Sequence, residues 1–271
     1  MILSRGKLKV GIIGCGAIGS EVAYFIDRKL NKFFTLIGIY DINKDKVESV
    51  IAHLNKKPRI FSFHALIASS DIIIECASIE CAKKLIEKTR RDKILFILSS
   101  GVFSIYPRVL KKIFSFKRIF IPSGAICGID GIESFALSKI KSLKLITSKP
   151  PFSLEGIKFL ERKDIDIRKI KKEKILFRGN IEKAIKYFPK NINVASTLFL
   201  ATGFKNIEVT IKIDPHIKRN THRIELIADK GKLSITLENV PSRVNPKTSV
   251  VTILSVKNLL KKLVNTLWVG S

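Results

Sequence analysis

The sequence predicts an α/β protein in which a doubly wound parallel sheet is followed by a second, mixed α/β domain. Three observations support this prediction. Short apolar runs alternate with amphipathic helical segments through residues 8–100, which is typical of a parallel sheet covered by helices. A glycine-rich turn joins the first predicted strand to the first predicted helix. After about residue 105 the alternation stops, and strands with one polar face follow.

The glycine-rich turn lies between a strand predicted over Leu8–Ile13 and a helix predicted over 18–30. Its pattern, G-x-G-x-x-G, favours a dinucleotide site in this setting. The first glycine permits the tight turn, the second lets a pyrophosphate approach, and the third lets helix and strand pack closely. The helix N-terminus attracts phosphate. A turn that binds nothing is the alternative. The expected dinucleotide contacts are Gly14, Gly16, Ala17, Ile18 and Gly19.

The second predicted strand, Phe34–Tyr40, ends at Asp41. This is roughly 20 residues after the last glycine, where a Rossmann domain has the acid that binds the adenosine ribose. The alternative role for Asp41 is a cap for the helix predicted over Lys44–Leu54. Because a carboxylate here repels a 2′-phosphate, we expect NAD as the cofactor. The nearby Lys44 and Lys46 leave NADP possible.

Three further strands are predicted over 59–63, 71–77 and 94–98, with a helix over 79–90. Ligands of a doubly wound sheet bind beyond the carboxyl ends of its strands. Ala77 and Ser78 follow such an end, so we expect them to contact the cofactor.

The rest of the chain is expected to form the substrate domain and a returning helix. Residues 122–131 are rich in small residues and poorly suited to a core element, and 157–174 are highly charged, as in a solvated surface excursion. The predicted domains are 1–120, 121–245 and a C-terminal helix, 246–271, that packs back on the first domain. The predicted elements between them are helices over 106–116, 181–188 and 191–201, and strands over 118–121, 143–147, 206–213, 222–228 and 232–238.

The formal net charge is +27, from 50 lysines and arginines against 23 aspartates and glutamates. Such a charge suits a polyanionic partner, and a polyanion-binding protein is one alternative interpretation. The basic residues are dispersed, however, and no aromatic-rich RNA-binding motif accompanies them. We therefore expect weak adhesion and no specific nucleic-acid binding.

Other features bear on cellular location. No apolar run reaches membrane-spanning length, and the first residues lack the apolar core of a signal peptide. The four cysteines show neither a C-x-x-C pair nor zinc-like spacing with histidine, which favours free thiols in a reducing compartment. We expect a soluble cytoplasmic protein without a membrane contact or a metal site.

One of the four histidines is a candidate catalytic residue. His222 opens a predicted strand and should share the inward direction of Ile224. An imidazole near a cleft can act as a general base around neutral pH. A hydrogen-bonded structural histidine is the alternative.

Five segments together resemble the L-aspartate dehydrogenase family. The first segment is shared by many unrelated enzymes, whereas the later four, in this order, are specific to the family. The match spans most of the chain outside 154–176. The segments are 11–19 (GIIGCGAIG), 122–131 (PSGAICGIDG), 188–195 (FPKNINVA), 219–222 (RNTH) and 238–249 (ENVPSRVNPKTS).

The resemblance implies NAD(P)-dependent oxidative deamination of L-aspartate. The product, iminoaspartate, would hydrolyse to oxaloacetate and ammonia or feed quinolinate synthesis in pyridine nucleotide biosynthesis. His222 matches the family's catalytic histidine and Ala125 its cofactor-contacting alanine, while the cofactor-contacting amide falls on Asn191 or Asn193. Lys190 and Arg219 are candidate cations for the dicarboxylate by position alone, and the alternative is that both are surface charges. We also expect a homodimer.

Three positions depart from the family pattern. Cys127 stands where glycine is usual, Ser148 where arginine is common, and the hairpin at Gly231 lacks the usual glycine–phenylalanine pair. These differences concern substrate affinity more than reaction type. The closest alternative is another dehydrogenase or reductase of the same architecture, acting on a cyclic imine or a hydroxy acid. A non-catalytic NAD-binding protein is the other.

Overall fold

The computed structural model describes residues 6–188 and 192–270, which form two compact units. The first unit contains the described residues up to Pro122 and those from Thr252 onward, and the second is Ser123–Val251. The corresponding boundaries predicted from the sequence are residues 120 and 245.

The first unit alternates strands with helices, as predicted. Its described elements are β1 (Leu8–Ile13), α1 (Ala17–Lys29), β2 (Phe34–Tyr40), α2 (Lys44–Ala52), β3 (Arg59–Ile60), α3 (Phe63–Ser69), β4 (Ile72–Glu75), α4 (Ile79–Lys88), β5 (Ile94–Ile97), α5 (Gly101–Ile105), α6 (Pro107–Ile113) and β6 (Arg118–Phe120).

All pairings in this sheet are parallel, in the order β3-β2-β1-β4-β5-β6. Strands β4 and β5 are buried along their whole length, which explains the apolar runs 72–74 and 94–97. The strand order reverses between β1 and β4. In this Rossmann topology, ligands bind beyond the strand ends at that reversal.

Two local predictions for the first unit were wrong. The strand predicted over 59–63 is only Arg59–Ile60, because Ser62 starts helix α3 by accepting a hydrogen bond from the Ala65 N–H. The helix predicted over 106–116 is shorter and follows a separate helix, α5. Pro107 opens α6, where its missing N–H costs nothing.

The second unit contains a mixed five-stranded sheet in its described part. Its described elements are α7 (Ile129–Ala136), β7 (Ile140–Lys149), α8 (Lys158–Arg162), β8 (Lys174–Asn180), α9 (Ile181–Tyr187), α10 (Asn193–Thr202), β9 (Glu208–Ile213), β10 (Asn220–Ala228) and β11 (Gly231–Asn239).

The order of this sheet is β11-β10-β7-β9-β8. The β7–β9 pair is parallel and the other pairs are antiparallel. Helix α7 packs against β10 and α10. This arrangement confirms the predicted mixed α/β fold of the second domain.

The charged segment 157–174 is not simply a solvated excursion. Leu160 from this segment is buried with Leu154, Leu176 and Ile213, and several isoleucines pack around them. The small-residue segment also contains structure that was not predicted, because α7 begins at Ile129. Strand β8 was missed as well.

Helix α11 (Val250–Val264) contributes to the core of the first unit. Val256, Leu260 and Leu263 are buried in the same apolar cluster as Val22 and Ile26 of α1. The expected return of the C-terminal helix to the first domain is therefore confirmed. In the described residues no helix combines the length and apolar character needed to cross a bilayer.

Candidate functional site

In the glycine-rich turn between β1 and α1, Gly14 and Gly19 have no room for a side chain, whereas Gly16 faces open space. Gly14 is buried with φ +103°, and a Cβ there would lie 2.7 Å from the carbonyl oxygen of Cys76. A Cβ on Gly19 would collide with the Gly14 carbonyl oxygen. A Cβ on Gly16 would meet nothing within 4 Å, and no side chain caps α1 there. This surface fits a phosphate group at the N-terminus of a helix.

Asp41 follows β2 and is tied to the same turn. One carboxylate oxygen, Oδ2, accepts a hydrogen bond from the Cys15 N–H at 2.7 Å, and Oδ1 accepts one from the Asn43 N–H at 2.9 Å. Asn43 is the residue that caps α2, by accepting from the Lys46 N–H, so the alternative role of Asp41 as the cap is wrong. Each oxygen keeps a second lone pair that a ribose hydroxyl can use.

Glu75, at the end of β4, organises the next two loops and was missed by the sequence analysis. Its side chain is fully buried. Oε1 accepts from the N–H groups of Ala77 and Ser78 and from the Ser99 hydroxyl, and Oε2 accepts from the Ser99 N–H, all within 2.8–3.1 Å. Burial raises the pKa of Glu75, and these hydrogen bonds oppose that shift. A glutamate ending an otherwise apolar strand was the available signal.

The contacts of Glu75 limit what Ala77 and Ser78 can offer a cofactor. Both residues are exposed, but their N–H groups already donate to Glu75. The Ser78 hydroxyl oxygen accepts from the Cys81 N–H and thereby caps α4. Its hydrogen can still be donated. A contact at Ser78 would therefore use the hydroxyl rather than the main-chain N–H.

The cysteines near the turn are unreactive thiols. The Cys76 thiol donates to the carbonyl oxygens of Ile13 and Gly14. Burial raises the pKa of Cys15 and of Cys81 to about 12, so the nucleophilic thiolate is scarce at neutral pH. All four cysteines are free, including the exposed Cys127. In the part of the chain described, no group of His, Cys, Asp and Glu side chains could hold a metal ion.

His222 points inward in the second unit, as its predicted alternation with Ile224 required. The side chain is 8% exposed, and its Nδ1 lies 2.9 Å from the hydroxyl oxygen of Thr147. Thr147 is its register partner across the β7–β10 pair. Burial, together with the charge of Lys149, lowers the pKa of His222 from 6.5 to about 3. The imidazole is therefore neutral near pH 7.

Lys149 is a second buried basic group near His222. It lies two residues beyond Thr147 on the inward face of β7 and is 9% exposed. Burial, and then the charge of Lys247, lowers the pKa of Lys149 from 10.5 to about 8. Lys149 was not identified as a candidate from the sequence. Its alternation in phase with Leu143 and Leu145 was the signal for an inward lysine.

Ala125 and Asn193 are further expected cofactor contacts and belong to the second unit. Ala125 precedes α7, and its carbonyl oxygen accepts from Asn239 Nδ2 at 3.1 Å. Asn239 is buried and also accepts from the Ser249 hydroxyl. Its side-chain amide therefore links segment 238–249 to segment 122–131. Asn193 is the first residue of α10. Asn191 and Lys190 lie outside the described residues, and Arg219 is exposed.

Comparisons with known proteins cover nearly the whole chain. The family described as "Aspartate dehydrogenase, C-terminal" matches residues 130–263, and "Homoserine dehydrogenase, NAD binding domain" matches residues 14–116. An L-aspartate dehydrogenase from Nitrosopumilus maritimus is 38% identical over 94% of this chain and 96% of its own length. One from Methanosarcina barkeri is 34% identical over 97% and 100%.

A solved structure agrees with these relatives. The crystal structure of aspartate dehydrogenase from Thermotoga maritima has a TM-score of 0.72 and 27% identity, and the match covers 97% of this chain and 99% of that one. The first unit, with its glycine-rich turn at the strand-order reversal, is an NAD-binding domain. Because the sequence relatives match at 34–38% identity along almost their full lengths, the chain belongs to the L-aspartate dehydrogenase family.

Proposed function

We propose that this protein oxidises L-aspartate with NAD and releases the amino group as ammonia. The observation that supports this function best is the buried, neutral His222 held by Thr147 in a chain of this family. L-Aspartate loses a hydride from Cα and a proton from its amino group, which gives iminoaspartate. Water then adds to the imine and ammonia leaves, which gives oxaloacetate. Transfer of iminoaspartate to quinolinate synthesis, in pyridine nucleotide biosynthesis, is the other outlet.

The cofactor is assigned to residues whose geometry fits it. The turn Gly14–Gly19, with Ala17 and Ile18 in the first turn of α1, would hold the pyrophosphate, and Asp41 would bind the adenosine ribose. Ala77, Ser78, Ala125 and one of Asn191 and Asn193 are the further proposed contacts. NAD supplies the hydride acceptor, C4 of its nicotinamide ring. NADP stays possible because Lys44 and Lys46 are exposed close to Asp41 in sequence.

His222 is the proposed proton acceptor. When Nδ1 donates its hydrogen to the Thr147 hydroxyl oxygen, Nε2 has a lone pair and can take a proton. That proton would come from the substrate's amino group before the hydride leaves, or from the water that attacks the imine. A pKa of about 3 makes His222 a weak base when no substrate is bound. The negative carboxylates of a bound dicarboxylate would raise this pKa toward the useful range.

The test is a substitution that keeps the Thr147 contact and removes Nε2. In His222→Asn, the side-chain amide can occupy the place of Nδ1 but has no group at Nε2. We expect kcat with L-aspartate and NAD to fall by about 10²–10⁴-fold, the usual range for an acid–base group. The NAD dissociation constant should barely change, because the glycine turn and Asp41 are unaltered. His216→Asn, at an exposed histidine of the same unit, is the matched control.

Two outcomes would overturn this assignment. Near-normal turnover of His222→Asn would remove His222 from the mechanism, whereas a large fall in melting temperature would indicate a structural role.

Wild-type protein that oxidises a hydroxy acid or reduces a cyclic imine faster than it uses L-aspartate would be a different dehydrogenase. Absorbance at 340 nm follows all of these reactions. NAD binding without turnover of any of them would indicate a non-catalytic protein.

Two further proposals concern the assembly and the location of the protein. We propose a homodimer, which the molar mass from light scattering tests directly. We also propose a cytoplasmic enzyme, because four free thiols suit a reducing compartment.

A further inference from the structure

The inward face of the second unit's sheet changes from apolar to polar at one end. Leu143 and Leu145 of β7 lie beside Ile224 and Leu226 of β10, and all four are buried. Farther along the same two strands, the inward positions become polar. These positions are Thr147 and Lys149 on β7 and His222 and Asn220 on β10.

Lys149 brings a positive charge into this polar end. Little water screens an ammonium group in a buried place, so such a group attracts a nearby anion more strongly than an exposed lysine does. Positive charges lie close together at this end of the sheet, since Lys247 acts on Lys149 and Lys149 acts on His222. Each of them disfavours the protonated form of its neighbour. An anion bound here would stabilise Lys149 as the ammonium.

Asn220 supplies a complementary feature two residues before His222. Its Oδ1 atom is buried and has no hydrogen-bond partner in the described part of the chain. An unpaired buried acceptor destabilises the protein by about as much as a lost hydrogen bond. Such an atom is satisfied when a ligand brings a donor. An amino group is a donor of the required kind.

We propose that Lys149 binds a carboxylate of the substrate and that Asn220 accepts a hydrogen bond from its amino group, which places Cα beside His222. This inference rests on the proposed function, since it names the residues that recognise an amino dicarboxylate at the same site. It replaces Lys190 and Arg219 as the candidate cations. Arg219 is exposed and therefore less suited to hold a carboxylate away from water.

Binding measured without turnover tests the assignment. Calorimetry is done on the full-length protein saturated with NADH, which cannot accept a hydride, and the probes are L-aspartate and succinate. Succinate has both carboxylates but no amino group. We expect Lys149→Met to weaken both probes by about ten- to hundredfold, the usual effect of losing a charged hydrogen bond. Asn220→Ala should weaken L-aspartate and leave succinate unchanged.

Lys144→Met is the matched control, because Lys144 lies on the same strand with its side chain on the opposite face. It should bind both probes like the wild type. If Lys149→Met does not fold, Lys149→Gln, which keeps a hydrogen-bonding group, replaces it with the same expectation. Wild-type succinate affinity in a folded Lys149 variant would overturn the carboxylate role, and equal loss of both probes in Asn220→Ala would overturn the amino-group role.

The results that would contradict the roles of Lys149 and Asn220 differ from those that would contradict the proposed function. If the wild type oxidises L-aspartate but the Lys149 variants bind both probes normally, only this inference is lost. If the wild type does not oxidise L-aspartate and does not bind succinate, the proposed function and this inference are lost together.

Discussion

Asp41 combines two roles that its sequence position alone did not separate. It follows β2, where an acid is expected to bind the ribose, and it also accepts the Cys15 N–H of the glycine-rich turn. The carboxylate therefore fixes the turn before any nucleotide arrives. Substitution should affect both the shape of the turn and the choice of cofactor.

We expect Asp41→Ala to weaken NAD binding by roughly 1.5–3 kcal/mol, the value of a charged hydrogen bond, and to weaken NADP binding less. Asp41→Asn is the matched variant, because it keeps an acceptor oxygen but removes the charge that repels a 2′-phosphate. It should bind NADP better than the wild type does. Fluorescence titration with both cofactors measures the effect. Equal affinity of the wild-type protein for NAD and NADP would contradict the role given to Asp41.

His222 and Lys149 also determine how stability depends on pH. The pKa of His222 falls from 6.5 to about 3 on folding, so the unfolded chain binds more protons between these values. Stability contributed by neutral His222 is therefore lost as pH falls from about 6.5 toward 3. The pKa of Lys149 falls from 10.5 to about 8, with Lys247 as its charged neighbour. The unfolded chain again binds more protons between these two values, so stability should rise as pH increases from about 8 to 10.5.

The free energy of unfolding in urea, measured from pH 4 to pH 10, checks this expectation. Lys149→Met should be more stable than the wild type at pH 7, and its advantage should shrink above about pH 8, where folded Lys149 loses its proton. His222→Asn should show a smaller loss of stability between about pH 6.5 and 4. Parallel pH profiles for the three proteins would show that neither group is desolvated in solution.

At the scale of elements, Glu75 links the ends of β4 and β5. It accepts three main-chain N–H groups and one hydroxyl from the two loops that follow these strands. The loop positions therefore depend on one buried carboxyl. Without this acceptor, the N–H group of the buried Ser99 would be left unsatisfied.

We expect Glu75→Gln to lower the free energy of unfolding by about 1–3 kcal/mol, because its NH₂ group cannot accept the hydrogen bond of the carboxylate oxygen it replaces. NAD affinity should fall as the loop at Ala77 and Ser78 shifts. Glu80→Gln, at an exposed glutamate in the first turn of α4, is the control. Urea unfolding and NAD titration of the two variants measure both effects. A Glu75→Gln protein with unchanged stability and NAD affinity would contradict this role.

The elements that the sequence predicted well are those with a strong local pattern. Strand β5 is an uninterrupted apolar run, β1 and β2 are apolar runs with one polar residue each, and the glycines identify the turn to α1. Helix α3 was missed because the apolar run across 59–63 also suits a strand, and only the Ser62 cap distinguishes the two. The apolar cluster of segment 157–174 was hidden by the many charges between its isoleucines.

The candidate site was predictable in part for a similar reason. The inward direction of His222 follows from strand alternation with Ile224. Its neighbours Thr147 and Lys149 come from a strand that pairs with β10 across a long stretch of chain, and no local pattern reveals that pairing. The bond from Asn239 to Ala125 likewise joins distant segments.

At the scale of the whole molecule, the net charge of +27 is the most unusual property. Adhesion to DNA that arises from dispersed charge alone is lost as salt rises, because counterions compete for the phosphates. We expect binding to a labelled duplex, measured by fluorescence anisotropy, to disappear between about 50 and 200 mM salt. Duplexes of different sequence should behave alike. A sequence-selective complex that survives high salt would favour the polyanion-binding interpretation.

The position of α11 has a consequence for the order in which the protein is made. The first unit includes residues up to Pro122 and again from Thr252, and its apolar cluster contains Val256, Leu260 and Leu263. During synthesis the ribosome must therefore produce the whole second unit before the cofactor-binding core can be completed. Until then, the incomplete first unit exposes apolar surface to solvent, a state that invites aggregation and chaperone binding.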